Sequence, residues 1–400
     1  MKWLTVVGMG EDGWAGLSAR SQESLRHAEI IVGSKRLLGK LPTLSAERKE
    51  WPQPFSAVIE RIQPLRGRAT AILATGDPMN FGVTRKLMEF VPFAEMTVIP
   101  HLSAFSLAAS RLGWSLPDCD CFSIHGRPAA NLETFIQPGA RLLALTENAP
   151  TIAEACRRLV KRGFGESEIT VLENLGGDSE MTTSFIAHAL PDRQWSDLNT
   201  LAVRCIAGPQ AQILSRVPGL PDDAFGHDGK ITKREVRAAT LAALSPAPDQ
   251  LLWDVGAGCG SIGIEWMRST RGCEAIAIEP DAERRRMIAA NADALGTPRL
   301  KIVAGTAPTA LEGLKAPDAV FIGGGLDDEG VFEAAWLALK SGGAMVANTV
   351  TLEAEMHLID LQAAYGGDLV RFEISHLASV GPYRGLKPKM PVLQWRGRKP

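Results

Sequence analysis

The stretch Leu251-Leu252-Trp253-Asp254-Val255-Gly256-Ala257-Gly258-Cys259-Gly260-Ser261 decides the fold of the second half of the chain. Its first five residues predict a buried strand, a Gly-x-Gly-x-Gly turn follows, and a helix is predicted to begin at Ser261. Glycines in such a turn let the backbone approach a ligand at distances where a Cβ would collide. The next predicted strand, 274–279, ends in Glu279, whose carboxylate can accept hydrogen bonds from the ribose hydroxyls of a nucleoside. The pattern therefore predicts a nucleoside-binding site.

The spacing of the glycines helps to choose between two nucleoside cofactors. The dinucleotide fingerprint G-x-G-x-x-G/A has Gly or Ala at its sixth position, whereas here the third glycine, Gly260, comes one place early and Ser261 is sixth. Asp254 stands two residues before Gly256 and suits a ligand with an ammonium group, such as the methionine end of S-adenosylmethionine (SAM). These residues favour SAM over NAD, and a glycine turn with a purely structural role remains a third interpretation.

Short β-branched runs alternate with amphipathic stretches, which predicts an α/β fold with largely parallel sheets. A stretch rich in proline and glycine at 207–230 interrupts this rhythm, as a linker does. We therefore predict a domain at 1–215, a linker within 216–229 and a second domain within 222–400. Strands are predicted at 3–8, 29–32, 69–74, 96–99, 141–145, 169–173 and 201–205, and then at 251–255, 274–279, 300–303, 318–322, 343–348, 369–375 and 391–395.

Composition narrows the class of protein. The 400 residues include 43 Lys+Arg and 45 Asp+Glu, a net charge of −2 that argues against a dedicated nucleic-acid binder. No run approaches the ~18 apolar residues of a membrane span, and the N-terminal run has no cleavage site, so a cytoplasmic protein is expected. The six cysteines form no CxxC pair and the seven histidines show no metal-binding spacing, so no metal is expected.

A helix start is predicted at Ile231-Thr232-Lys233-Arg234-Glu235-Val236-Arg237. Thr232 and Glu235 have the spacing of a capping box, which would explain Thr232 without any ligand. The apolar stripe of this helix is Val236, Thr240, Leu241 and Leu244.

These stretches give the second half a resemblance to the class I SAM-dependent methyltransferases, and more narrowly to the decarboxylating precorrin methyltransferases of cobalamin biosynthesis. Further matching stretches are Gly305-Thr306-Ala307-Pro308, Val320-Phe321-Ile322-Gly323-Gly324 and Ala347-Asn348-Thr349-Val350-Thr351-Leu352-Glu353. The resemblance implies a Rossmann-like fold. It also implies that SAM contacts Thr232, Gly256, Ala257, Gly258, Cys259, Gly260, Glu279 and Ala307.

The glycines of Phe321-Ile322-Gly323-Gly324-Gly325 follow the strand beside which the methyl group is transferred in this architecture. They could let a flat, bulky substrate lie close to the backbone, or they could serve a loop with positive φ angles. Both interpretations stay open.

In the first half, Gly8-Met9-Gly10-Glu11-Asp12-Gly13 matches G-x-G-x-x-G in form only, because the following strand, 29–32, offers no terminal acid for a ribose. The run 71–75 predicts an apolar strand that leads into the turn Gly76-Asp77-Pro78. This turn lies where α/β sheets bind ligands, although an Asx-Pro turn with a structural role explains it equally well.

The first half resembles the tetrapyrrole methylase family, with two subdomains. The resemblance is carried by that turn and by Val6-Val7-Gly8-Met9-Gly10, Val32-Gly33-Ser34-Lys35-Arg36, 99–114, Ser123-Ile124-His125-Gly126-Arg127 and Leu172-Glu173-Asn174-Leu175-Gly176. It implies that SAM lies in a cleft between the subdomains, against Gly76, Asp77, Pro78, Asn80, Ser103, Ala104 and Thr146. The family usually has a small residue after the proline of one loop, where His101 follows Pro100 here.

Two SAM-binding folds on one chain imply two methyl transfers to one substrate. The resemblance implies conversion of precorrin-6Y to precorrin-8X, with carbon 5 methylated by the first domain, and carbon 15 methylated and an acetate decarboxylated by the second. The alternatives are another tetrapyrrole, a nucleic-acid methyltransferase and a SAM sensor without turnover. His125 and His227 are the candidate catalytic residues.

The C-terminal segment from Arg371 onward holds seven Lys or Arg and one acid, and it is either a solvated face or a contact for an anionic substrate. Family resemblance also suggests a homo-oligomer that forms through the second domain.

Overall fold

The computed structural model describes residues 2–52 and 57–400. In these ranges, no helix is both long and apolar enough to cross a membrane. The chain divides into two compact units, Met1–Ala129 with Phe135–Gln212, and Ala130–Thr134 with Ile213–Pro400.

The segment Ala130–Thr134, which the sequence analysis placed in the first domain, belongs to the second unit. The Thr134 hydroxyl donates to the Gly296 carbonyl (3.1 Å), and the Thr134 carbonyl accepts a hydrogen bond from the Arg216 side chain (3.1 Å). These contacts join residues far apart in sequence, so no local pattern announces them.

The described part of the first unit alternates strands and short helices. Its strands are β1 (Leu4–Met9), β2 (Ile30–Gly33), β3 (Glu47–Glu50), β4 (Thr70–Thr75), β5 (Met96–Ile99), β6 (Cys119–Ser123), β7 (Arg141–Leu145), β8 (Glu168–Glu173), β9 (Met181–Ile186) and β10 (Asn199–Arg204). Its α-helices are α1 (Gly13–Gly16), α2 (Ala19–Arg26), α3 (Lys35–Leu38), α4 (Val58–Ile62), α5 (Thr84–Leu87), α6 (Ala104–Leu112) and α7 (Ala149–Lys161).

These strands form two sheets that differ in strand direction. One has the order β3-β2-β4-β1-β5, with every neighbouring pair parallel. The other has the order β6-β7-β10-β8-β9, in which β6 and β7 are parallel and the remaining pairs are antiparallel. The first sheet therefore directs the carboxyl ends of all its strands to one edge.

The second unit is built on one large sheet. Its strands are β11 (Leu251–Val255), β12 (Glu274–Glu279), β13 (Lys301–Ala304), β14 (Ala319–Ile322), β15 (Ala344–Thr349), β16 (Asp368–Phe372), β17 (Ser375–Val380), β18 (Tyr383–Pro388) and β19 (Val392–Arg398). Its α-helices are α8 (Arg234–Leu244), α9 (Ser261–Ser269), α10 (Ala282–Ala294), α11 (Val331–Ala338) and α12 (Leu352–Tyr365).

The order of this sheet is β13-β12-β11-β14-β15-β19-β16, and its first five strands are parallel. Strands β19 and β16 complete it in antiparallel pairs. Every residue of the central strand β11 is buried, as its apolar sequence predicts. The strands β17 and β18 form a separate hairpin.

Strands with a buried face match the predicted ranges to within about three residues, whereas β3, β6, β9, β17 and β18 were not predicted. Most residues of β3 and of the β17–β18 hairpin are exposed. Edge and isolated strands carry little of the hydrophobic periodicity on which such predictions depend.

The predicted capping box at Thr232 is wrong. Helix α8 begins at Arg234, its N-cap is Lys233, and no side chain caps it. The carbonyl of Thr232 instead accepts a hydrogen bond from Arg237 (2.5 Å), which fixes the backbone just ahead of the helix. The predicted buried stripe of Val236, Thr240, Leu241 and Leu244 is confirmed.

Candidate cofactor-binding sites

A cavity of about 960 Å³ opens at the carboxyl ends of the parallel strands in the second unit. The turns after β11 and β14 and the ends of β12 and β15 contribute to its wall. Open α/β sheets bind their ligands at this edge. The predicted cofactor residues that line it are Thr232, Gly256, Ala257, Gly258, Cys259, Glu279 and Ala307.

The glycine turn after β11 brings the backbone to the cavity wall. Gly256 has φ +69° and Gly258 has φ +59°, both in the left-handed region that favours glycine. A Cβ at Gly256 would also lie 2.8 Å from the backbone nitrogen of Gly324. Gly260, the N-cap of α9, is not among the described lining residues, and a Cβ there would lie 3.0 Å from the Ile288 side chain. It therefore serves helix packing.

The Glu279 carboxylate is buried at the end of β12 and held by backbone donors. One oxygen accepts a hydrogen bond from the Gly258 N–H (2.8 Å), and the other accepts one from the Asp281 N–H (3.1 Å). A carboxylate has about four acceptor positions, so each oxygen retains capacity for a further donor. Glu279 can thus receive two ribose hydroxyls while it fixes the glycine turn.

Asp254 occupies a different place from the one expected of an ammonium ligand. It is buried and absent from the described cavity lining, and its Oδ2 accepts from the Gly263 N–H of α9 (2.9 Å). Its Oδ1 is buried without a hydrogen-bond partner. Burial, with a smaller contribution from Glu279, raises the pKa of Asp254 to about 7. The side chain therefore joins strand β11 to helix α9.

Arg237 explains how Thr232 reaches the cavity. This arginine is fully buried and donates to Glu265 Oε1 (2.6 Å), to Asp222 (3.0 Å) and to the Thr232 carbonyl (2.5 Å). Glu265 in turn accepts from the backbone N–H groups of Gly219 (2.6 Å) and Leu220 (3.1 Å). One buried ion pair thus anchors both the segment before α8 and a residue of the cavity wall.

Several polar lining residues of this cavity were not singled out in the sequence. They are Lys230, Lys233, Asp327, Asp328, Asn348 and His376. Lys233 follows Thr232 within the quoted motif, so adjacency was the available signal for it. Of the basic C-terminal residues, Lys389 lines the cavity, while Arg371 pairs with Glu355 (2.7 Å).

His227 is not among the described lining residues of either cofactor cavity; its Nδ1 accepts from the Gly229 N–H (3.0 Å). The glycines Gly323, Gly324 and Gly325 do line the second cavity, and Gly325 alone of the three has a positive φ, +76°. A positive φ therefore accounts for Gly325 and leaves the other two available for close approach of a ligand.

The first unit contains a cavity of about 560 Å³ whose wall comes from both of its sheets. The predicted residues that line it are Gly76, Asp77, Asn80, Ser103, Ala104, Thr146 and His125, and Pro78 is not among them. The Pro78 carbonyl faces Gly82 instead, where a Cβ would lie 2.3 Å from it.

The loop after β4 and the start of α6 meet at this cavity. Gly76 has φ +60°, and a Cβ there would lie 3.1 Å from the Leu102 carbonyl oxygen. Asp77 Oδ1 accepts from the Met79 N–H (2.9 Å), which is an Asx turn. Ser103 caps α6 by accepting from the Ser106 N–H (3.1 Å). The Asx turn thus fixes the shape of the loop after β4. This structural role is compatible with ligand binding by the backbone of the same loop.

Thr146 and His125 lie on the wall supplied by the second sheet. The Thr146 hydroxyl donates to the Asn199 carbonyl (2.9 Å), and its own carbonyl lies 3.2 Å from His125 Nδ1. A carbonyl oxygen only accepts, so Nδ1 is the donor in this contact. The Thr146 backbone thereby orients the His125 ring.

Charged and aromatic residues that the sequence analysis did not single out complete the first cavity: Glu11, Arg36, Trp51, Phe81 and Arg127. Glu11 pairs with Arg36 and with Lys40 (3.2 Å). Burial lowers the pKa of Arg36, which remains a cation at neutral pH. His101 lies in the loop before α6, and its Nε2 is 3.2 Å from the Gly16 carbonyl oxygen. Across the described residues, no group of three or more His, Cys, Asp or Glu is placed to hold a metal ion.

Comparison with known proteins identifies both halves. Residues 3–188 match the family model of tetrapyrrole (corrin/porphyrin) methylases, and residues 223–399 match that of the precorrin methyltransferase domain. Both matches are to methyltransferases that act on tetrapyrroles, and SAM is the methyl donor of this class of enzyme.

A Sinorhizobium precorrin-6Y C(5,15)-methyltransferase (decarboxylating) is 45% identical over 398 residues, which is 99% of this chain and 96% of that protein. The protein of the same name from Mycobacterium tuberculosis is 39% identical over 98% of each chain. The chain belongs to the family of precorrin-6Y C5,15-methyltransferases. A crystal structure of the C-terminal domain of the Rhodobacter capsulatus protein is 47% identical and covers 46% of this chain and 100% of its own, with a TM-score of 0.44.

Proposed function

We propose that this chain is a bifunctional SAM-dependent C-methyltransferase of cobalamin biosynthesis. It converts precorrin-6Y to precorrin-8X by methylation at carbons 5 and 15 and by loss of carbon dioxide from the ring C acetate. The observation that carries the proposal is the pair of separate cavities, each at the carboxyl edge of a parallel sheet and each lined by a glycine-containing turn. Similarity along nearly the whole length of a relative with that name supports it.

Each unit is proposed to bind one SAM. In the second cavity, the cofactor lies against the backbone of the turn Gly256–Gly258, and Glu279 accepts hydrogen bonds from the ribose. Thr232 and Ala307 complete the wall. In the first cavity, the corresponding surfaces are Gly76, Asp77 and Asn80 on one side and Ser103, Ala104 and Thr146 on the other. Both cavities suit a nucleoside, because a side chain is excluded at Gly256 and at Gly76 and the ligand can approach the backbone there.

The proposed division of labour follows the resemblance of each half to its family. The first unit methylates carbon 5, and the second methylates carbon 15 and removes the acetate carboxyl. Bound SAM supplies a methyl group on a positively charged sulfur. The macrocycle supplies the nucleophilic carbon, so the main contribution of the chain is to hold that carbon in line with the methyl group.

The methylation and decarboxylation steps require few side chains as proton donors or acceptors. In methylation, a bond forms between the ring carbon and the methyl carbon, and the bond from the methyl carbon to sulfur breaks. In decarboxylation, the bond from the acetate methylene to the carboxylate carbon breaks, its electron pair enters a ring imine, and a proton returns to carbon. His125 lines the first cavity and its Nδ1 donates to the Thr146 carbonyl, and its Nε2 is the proposed proton acceptor there. His227 is given no catalytic role, because it is not among the residues that line either cavity.

Mass spectrometry of the product made from precorrin-6Y and SAM tests the function. We expect two added methyl groups and one lost carbon dioxide, with two equivalents of S-adenosylhomocysteine. An unchanged substrate mass would overturn the proposal. Methylation of RNA in place of the tetrapyrrole would favour a nucleic-acid enzyme, and SAM binding without S-adenosylhomocysteine would favour a sensor.

Exposed apolar side chains support self-association through the second unit. Leu352, Met356 and Ile359 are exposed at the i, i+4 and i+7 positions of α12, so they share one face. Leu377, Tyr383 and Leu386 are exposed on the β17–β18 hairpin. Such patches mark interaction surfaces, and we propose a second copy of this chain as the partner. We expect light scattering to give a molar mass that is a multiple of the 43.0 kDa of one chain. Met356→Lys should lower this molar mass, and a monomeric wild type would contradict the proposal.

A further inference from the structure

Asn348 lies near the end of β15 and lines the cavity of the second unit. Strands β11 and β14 separate β15 from β12, whose last residue is Glu279. Neighbouring strands lie about 4.8 Å apart, so three spacings place the two residues roughly 14 Å from each other. Asn348 is therefore far from the proposed ribose contact, in the half of the cavity that is left for the methyl acceptor.

Two buried side chains fix the Asn348 amide. Its Nδ2 donates to Thr240 Oγ1 (2.9 Å), and its Oδ1 accepts from Gln394 Nε2 (2.8 Å). Gln394 Nε2 also donates to Thr240 Oγ1 (2.9 Å), and Gln394 Oε1 accepts from Arg396 Nε (2.8 Å). Thr240 and Gln394 are fully buried.

The donor and acceptor count leaves one possible orientation for this amide. The Arg396 side chain donates to Gln394 Oε1, so Gln394 faces Asn348 with its donor Nε2. The Thr240 hydroxyl donates to the Val236 carbonyl (2.8 Å), and with its hydrogen placed there it accepts from Asn348. A flipped Asn348 would set its oxygen against that acceptor and its nitrogen against the donor of Gln394. The observed orientation leaves one Nδ2 hydrogen and one Oδ1 lone pair unused. Thr240 and Gln394 are enclosed, and Asn348 itself is partly exposed, so a ligand in the cavity can reach these groups.

We propose that Asn348 binds a carboxylate oxygen of the tetrapyrrole substrate through its free Nδ2 hydrogen, and that Thr240 and Gln394 are positioning residues that aim this donor. The proposal rests on the proposed function, which places a polycarboxylate in this cavity. A bond from N–H to carboxylate is charge-assisted and stronger than a neutral one. Lys389, which also lines the cavity, is a second donor suited to a carboxylate.

Asn348→Asp tests the donor directly. The carboxylate can still accept from Gln394, and the Thr240 hydroxyl can turn from the Val236 carbonyl to donate to it, so both contacts of residue 348 are kept. The cavity now meets an acceptor with a negative charge. We expect KM for the substrate in carbon 15 methylation to rise roughly tenfold to a hundredfold, with kcat and the Kd for SAM within about twofold. Carbon 5 methylation by the same full-length protein is the internal control.

Gln394→Glu tests the positioning. Its carboxylate can only accept, so it would turn the Asn348 amide and move the free N–H to the position that Oδ1 now holds, although Asn348 remains. We expect a similar rise in KM. Gln362→Glu makes the same chemical change outside the cavity lining and is expected to behave as wild type. Thermal unfolding of each variant monitors folding.

An unchanged KM for Asn348→Asp, or for Gln394→Glu, would overturn the inference. If the wild type makes no carbon 15 product, the proposed function fails, and equilibrium binding of uroporphyrin, a porphyrin octacarboxylate, then decides the inference. Weaker uroporphyrin binding by Asn348→Asp supports the carboxylate contact. Equal binding by both proteins, or none by the wild type, overturns it.

Discussion

The two cavities differ in how far apart in sequence their walls lie. In the second unit, one turn of five residues and the end of the neighbouring strand supply most of the proposed cofactor contacts. In the first unit, the wall combines loops after strands of two different sheets. The second cavity therefore depends on local backbone geometry, and the first depends on how two sheets pack within one unit.

The cavities also differ in what holds their loops. In the second, the buried carboxylates of Glu279 and Glu265 accept backbone N–H groups of the turn and of the segment before α8. In the first, short polar side chains of Asp77 and Ser103 fold back onto their own loops. Removal of a buried charge leaves its partner unpaired, whereas removal of a partly exposed serine cap costs one neutral hydrogen bond. The second unit should therefore respond more strongly to single substitutions.

The largest expected effect is on Arg237. Its replacement by alanine leaves the Glu265 carboxylate buried without its partner, and we expect the second unit to lose about 3–5 kcal/mol of stability. Hydrogen exchange resolved by peptide should show lost protection in β11–β16 and unchanged protection in β1–β5. Arg234→Ala, an exposed neighbour on α8, is the control. Equal stability of the two variants would remove the contrast between the units.

Asp254 should make the stability of the second unit depend on pH. Its folded pKa of about 7 lies above the ordinary value of 3.8, so between these values the folded state holds a proton that the unfolded state releases. Stability is therefore lost as pH rises from about 4 to 7, by at most about 4 kcal/mol from this group. Asp254→Asn cannot titrate, and its unfolding free energy should fall less over that range. Parallel pH profiles of the two proteins would contradict this.

Glu279→Gln should separate the two proposed SAM sites. Its amide nitrogen must face a backbone N–H of Gly258 or Asp281, so the turn loses a bond and the ribose loses an acceptor. We expect SAM affinity at this site to fall by about 1–3 kcal/mol while the other site keeps its affinity. Calorimetric titration should then resolve one tight site where the wild type has two. Glu274→Gln, at the exposed start of the same strand, is the control.

The contrast between the cavities also explains which site residues could be predicted from the sequence. The placement of Glu279 follows from strand periodicity and the glycine turn, because both act over a few residues. The ammonium contact suggested for Asp254 stays a prediction, and the bond that its Oδ2 accepts from Gly263 of α9 was not anticipated. The sequence also allowed Thr232 to be a helix cap, and this was wrong because α8 begins at Arg234 with Lys233 as its N-cap. Asn348 could be quoted in a motif, but its partners Thr240 and Gln394 come from opposite ends of the domain.

The smallest expected effect is on Ser103, the cap of α6 in the first cavity. Ser103→Ala removes the acceptor for the Ser106 N–H, and the cost should be about 1 kcal/mol in the first unit. Because the same residue lines the cavity, SAM affinity should fall there and stay constant in the second unit. Ser110→Ala, an exposed serine on the same helix, controls for composition. A loss as large as that of Arg237→Ala would mean that the first cavity, too, depends on a single buried anchor, and the distinction between the two units would fail.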